Sequence, residues 1–89
     1  MKVSNDFILR EIAGEYILVP VGAAAAKFNG LITLNELGKF IFEALADDCT
    51  LEQLVDKITA EYDVDAATAA ADAEEFLGEL RGIGALLDA

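Results

Sequence analysis

The stretch FNGLITLNELGKFIFEAL, residues 28–45, changes its periodicity halfway along, and that change decides the fold. Asn29-Gly30 is a strong hairpin-turn dipeptide because both residues tolerate positive φ, and Leu31 to Leu34 has the apolar and β-branched content of a strand. Beyond it, Leu37, Phe40, Ile41, Ala44 and Leu45 recur at three- and four-residue spacing, which predicts a helix with one apolar stripe. Two caps are available at its start: Asn35 alone, or Thr33 with Glu36 as a capping box. Asn35 is preferred, since a cap at Thr33 would shorten the strand.

Upstream, Phe7 to Ile12 alternates loosely and stops at Ala13-Gly14-Glu15, after which Tyr16 to Val21 is again apolar and β-branched, so the two read as a β-hairpin. Period two puts Phe7 and Leu9 on one face of the first strand, and Ile17, Val19 and Val21 on one face of the second. Pro20 lacks a backbone donor, which leaves the end of that strand unpaired or at an edge. Gly22 to Lys27, GAAAAK, fits either a loop or an extended arm pairing with the third strand across the Asn29-Gly30 turn.

Downstream, Asp47-Asp48-Cys49 is a short polar turn, and Thr50 with Gln53 forms a capping box for a second helix. Leu51, Leu54, Val55, Ile58 and Tyr62 share one face of it, while Glu52, Asp56, Lys57 and Glu61 take the other. Asp63-Val64-Asp65 breaks the chain and recaps it, with Asp65 as the N-cap of a third helix through about Arg81. Ala69, Ala73, Phe76, Leu77 and Leu80 are its core-facing candidates. Gly82 and Gly84 end it, and Ala85 to Leu87 folds back onto the core.

The order is therefore a three-stranded antiparallel sheet followed by three helices, a winged helix-turn-helix-like α+β domain spanning 1–89. A chain of 89 residues has room for one core only. Hydrophobic residues make up 55% of it, too many for a disordered tail, although much of that count is alanine. The shape is that of a DNA reader, but six basic against seventeen acidic residues give a net charge of -11, which repels phosphate backbones and anionic lipid headgroups. Neither nucleic acid nor membrane is an expected partner. The longest nearly apolar run, Ile17 to Ala26, holds Pro20 and Gly22 and is far short of a membrane span. The opening MKVSNDF has no hydrophobic signal core, and the single Cys49 fits a reducing compartment, so the expectation is a cytoplasmic protein.

Three segments in order, LNELGKFIFEAL, TLEQLVDKITAEYDVD and DAEEFLGELRGIGALL, resemble the PqqD-like family, and FILREI and EYILVPVG look like that family's opening hairpin. Small acyl carriers are also short, acidic and helical, but they need a serine for the phosphopantetheine arm, and here the only serine is Ser4 in the N-terminal tail. The resemblance implies a RiPP recognition element, a chaperone-like adaptor of natural-product biosynthesis. Such a module binds the leader segment of a ribosomally made precursor peptide and presents it to a modifying enzyme, commonly a radical SAM maturase. In that family the leader adds as a strand beside the third strand, in the cleft against the third helix.

The candidate peptide-binding residues follow. Gly30, Leu31, Ile32, Thr33 and Leu34 form the strand whose edge offers unpaired donors and acceptors to an extended peptide. Ala70, Ala73 and Leu77, at three- and four-residue spacing on the third helix, are the expected cleft wall, where small side chains let another backbone approach. Two or three apolar anchors at roughly 1.5 to 3 kcal/mol each, less the cost of association, give a reversible grip. Asp72, Glu74, Glu75 and Glu79 make the third helix acidic, either as a solvated face or as a surface steering a basic or neutral leader.

No catalytic residue, cofactor or metal site is expected. The chain has no histidine, Cys49 therefore has no imidazole to activate it, and its paired acids sit where caps and turns place acids anyway. Phe42 lies off the main stripe, where it is free to serve a partner enzyme or a homodimer. Two other classes remain in view: a winged-helix DNA-binding or transcription-associated protein, and a structural interaction domain without peptide cargo, dimeric through an unpaired strand.

Overall fold

The chain enters as a short strand, β1 (Lys2–Val3), and turns at Ser4, whose Oγ accepts from the Asp6 amide at 3.1 Å. The computed structural model describes residues 1–27 and 30–87. A hairpin of β2 (Phe7–Ile12) and β3 (Glu15–Pro20) follows, its two-residue loop formed by Ala13 and Gly14 at φ of 53° and 82°. Two successive positive φ values match the right-handed twist of the flanking strands, which is why so short a loop closes there. Pro20 stands opposite Phe7 on the last rung and has no strand partner on its other side among the described residues, so its missing donor costs no ladder bond there.

Gly22–Lys27 is neither loop nor arm: it is a short helix, α1, as four consecutive alanines favour. The Asn29 half of the expected turn lies outside the described residues, and Gly30 has a φ of 136°, a conformation that favours glycine. The next strand, β4 (Ile32–Leu34), is one residue shorter than expected, since Leu31 precedes it. It pairs with β3, giving the antiparallel order β2-β3-β4 with β4 at an edge.

The register sorts the faces. Phe7, Leu9, Leu18, Tyr16, Ile32 and Leu34 share the inner face, and Leu18 is fully buried. Ile17 and Val19 do share a face, but it is the outer one, with Ile8, Arg10 and Thr33. Ile17, central in that face, is buried, while Ile8 and Ile12 stay exposed.

Three helices close the inner face, each with a side-chain cap. In α2 (Glu36–Ala44) Asn35 Oδ1 accepts from the Gly38 amide at 2.7 Å, so Thr33 remains in the strand. In α3 (Leu51–Glu61) both bonds of the Thr50–Gln53 capping box are present, at 3.1 and 2.9 Å. In α4 (Ala66–Gly82) Asp65 Oδ1 accepts from the Thr68 amide at 2.7 Å. That bond, donated to the ionised form, holds the Asp65 carboxyl below the usual carboxylate range.

At the far end Gly84, at φ 76°, reverses the chain, with Gly84 N–H donating to Arg81 O at 3.1 Å and Ala85 N–H to Leu80 O at 2.8 Å. The chain folds back as expected, and does so as a strand, β5 (Leu86–Leu87), antiparallel to β1. No strand was expected at Lys2–Val3, because two residues carry no periodicity. Its bonds are long-range: Val3 N–H to Leu45 O at 3.0 Å and Ser4 N–H to Ala85 O at 2.8 Å.

Leu18, Ile41, Leu45, Leu54, Ile58, Leu77 and Leu80 are the large, fully buried side chains of the core. Phe42 belongs to the same cluster at 7% exposure, so it is a core residue and presents no surface to a partner. Ala69 and Ala73 are buried in the core cluster on the inward face of α4, which packs against α3. No helix among the described residues is long and apolar enough to cross a membrane.

Candidate functional site

The sheet order leaves one side of β4 without a strand partner among the described residues. Its backbone groups there stand ready to pair with an extended segment. Thr33 is exposed, Ile32 half-buried and Leu34 buried, while Leu31, just before the strand, is 61% exposed. Gly30 is exposed as well. All five residues expected on the strand side thus lie along this edge or lead into it.

Across from the end of β4 stands α4, and the first turns of α2 lie between them. Gly38 is the meeting point: a Cβ built on it would stand 3.1 Å from Phe76 Cε1 and 3.5 Å from Leu34 Cβ. Its lack of a side chain therefore lets the Phe76 ring close on α2 beside the last residue of the strand. An open groove of about 290 Å³ runs here, with Asn35, Leu37, Gly38 and Ile41 on the α2 side and Asp72, Glu75, Phe76 and Glu79 on the α4 side. Positions 72, 75, 76 and 79 follow the spacing of a single helix face.

That face differs from the expected wall. Ala73 and Leu77 are 0% and 1% exposed and belong to the core, and Ala70 is half-buried outside the groove lining. The reason is the width of the apolar stripe: Ala69, Ala73, Leu77 and Leu80 face inward together, which turns the next face, carrying Phe76 and the acids, toward α2. The signals that would have found it are a glycine inside a helical pattern at position 38 and an aromatic flanked by acids at 75, 76 and 79.

A smaller pit of about 90 Å³ adjoins the groove and shares Leu37 and Asp72 with it; Ile58, Tyr62, Val64 and Ala69 complete its lining. Tyr62 is fixed against Phe40, ring edge to face at 5.4 Å. Burial first, and the neighbouring Glu36 and Glu61 charges second, push its phenol above the ordinary value.

Cys49 lies away from this cleft. It is buried, and its Sγ receives the Lys57 ammonium at 3.2 Å. No three His, Cys, Asp or Glu side chains gather into a metal-holding group among the described residues.

Among curated proteins none matches the chain. Two solved structures are similar over nearly its whole length. One, TbiB1 in complex with the TbiA(beta) leader peptide, is 28% identical, with a TM-score of 0.78 over 100% of this chain and 98% of that one. The other, lasso peptide synthetase B1 complexed with the leader peptide, is 17% identical, with a TM-score of 0.75 over 97% and 95% of the two chains, and shares the fold. The family model described as coenzyme PQQ synthesis protein D (PqqD) matches residues 15–86, and with that match over most of its length the chain belongs to the PqqD family.

Proposed function

We propose that this protein is a non-enzymatic adaptor that binds the leader segment of a ribosomally synthesised precursor peptide and presents it to a modifying enzyme. The leader adds to β4 as a further strand and lies in the cleft between that strand and α4. The observation that carries this reading is the free edge of β4 beside the groove at Gly38 and Phe76. Main-chain bonds supply a sequence-independent grip, and the groove reads the alternate side chains that point into it. The similar TbiB1 structure, itself in complex with a leader peptide, supports a leader as the ligand here. A radical SAM maturase is the class of modifying enzyme that the family resemblance favours, and the cytoplasm is the compartment.

Proline at Ile32 and at Thr33 tests strand addition. Successive residues of a strand aim their amides to opposite sides, so one substitution removes a bond to β3 and the other a donor on the open edge. The variant that keeps the parent's circular dichroism is expected to lose binding of the cognate leader peptide. Undiminished binding by both variants, each folded, would contradict the reading.

A further inference from the structure

The α4 side of the groove is strongly one-signed. Asp72, Glu75 and Glu79 surround Phe76 on one helix face, and among the described residues no lysine or arginine lines the groove. The ion pairs of Met1 with Asp48 and of Lys39 with Glu43 lie outside this set. Lys39, on the neighbouring helix, is engaged elsewhere, 3.2 Å from Glu43 and 5.1 Å over the Tyr16 ring. Beside this charged wall opens the apolar pit between Leu37, Ile58 and Val64. The cleft thus combines a slot for an apolar side chain with three carboxylates around an aromatic ring.

Any segment that settles over this groove displaces water from those carboxylates. A neutral segment returns nothing for the lost hydration, and an acidic one adds repulsion. A cationic side chain restores the charge balance while its aliphatic stem packs on the ring. Arginine fits best, because its planar guanidinium stacks on an aromatic face and forks onto a carboxylate.

We infer that the segment this protein selects is basic and apolar together: a lysine or arginine against Phe76 and the Asp72, Glu75 and Glu79 carboxylates, next to an apolar residue seated in the pit. This deepens the leader-binding reading and rests on it.

The test is selection from a displayed library of random peptides on the full chain, followed by affinities of the enriched peptides for three proteins. These are the parent, Glu75→Gln/Glu79→Gln, and the control Glu52→Gln/Asp56→Asn, which removes the same net charge from exposed positions on α3. The expected result is enrichment of Lys or Arg at a fixed offset from an apolar residue, with binding to the groove variant weakened roughly two- to fivefold per carboxylate removed. The control binds like the parent. Enriched peptides without a basic preference would overturn the inference and leave the leader-binding reading standing. Equal weakening by the control would overturn it too, since the attraction would then belong to the net charge of the whole molecule. Failure of the parent to enrich any peptide would overturn both.

Discussion

Phe76 rests the edge of its ring against Gly38, so closely that a methyl group there would stand 3.1 Å from Cε1 and 3.2 Å from Asn35 Oδ1. This contact joins α4 to the N-terminal turn of α2 next to the last residue of β4. It sets the floor of the proposed peptide cleft.

Substituting Gly38→Ala opposes two effects. Alanine in place of glycine inside a helix gains about 1 kcal/mol of helix propensity, while the methyl pushes the ring aside by a few tenths of an ångström. Stability measured by urea denaturation is therefore expected within about 1 kcal/mol of the parent. Leader affinity is expected to fall several-fold, because the displaced ring enters the groove. A variant with parental affinity would remove Phe76 from the site.

Ala73→Leu separates the core reading of the alanine stripe from the wall reading. At a position with 0% exposure the larger side chain has no space, and overpacking is expected to cost about 1 to 3 kcal/mol. A wall residue would accept leucine with little loss of stability and change only binding. Thermal denaturation of the variant decides between the two.

Asp65 gives the fold a pH dependence of known sign. The Thr68 amide holds its folded carboxyl below the value it has in the unfolded chain. The cap's contribution is thus complete above the ordinary carboxylate range and is lost as pH falls through the depressed folded value. Asp65→Asn keeps an acceptor without the titrating charge. The stability difference between parent and variant is expected to shrink below about pH 4, as followed by denaturant melts across the acid range.

Wherever a local rule operates, the sequence was legible. Asn35, Thr50 and Asp65 cap the helices expected of them, because caps are read from neighbours three residues away. The hairpin and the edge strand followed from turn residues and β-branched content. Among the features that local pattern hides, three have a plain physical cause. The pairing of Lys2–Val3 with Leu86–Leu87 joins the two ends of the chain and leaves no local pattern. The outward turn of Ile17 depends on which of two apolar faces meets the helices, and strand alternation is silent on that. On α4, Ala73 and Leu77 of the expected wall are buried, and the groove beside Gly38 is lined by Asp72, Glu75, Phe76 and Glu79. Helical spacing fixes which residues share a face, but only packing fixes which face meets α2.

The most direct test of strand addition is amide hydrogen exchange across β4, with and without the cognate leader peptide. The account predicts that, of the neighbouring Ile32 and Thr33 amides, the one aimed at the open edge exchanges freely in the unbound protein and becomes protected when the leader binds. Saturating leader that leaves both exchange rates unchanged would contradict it.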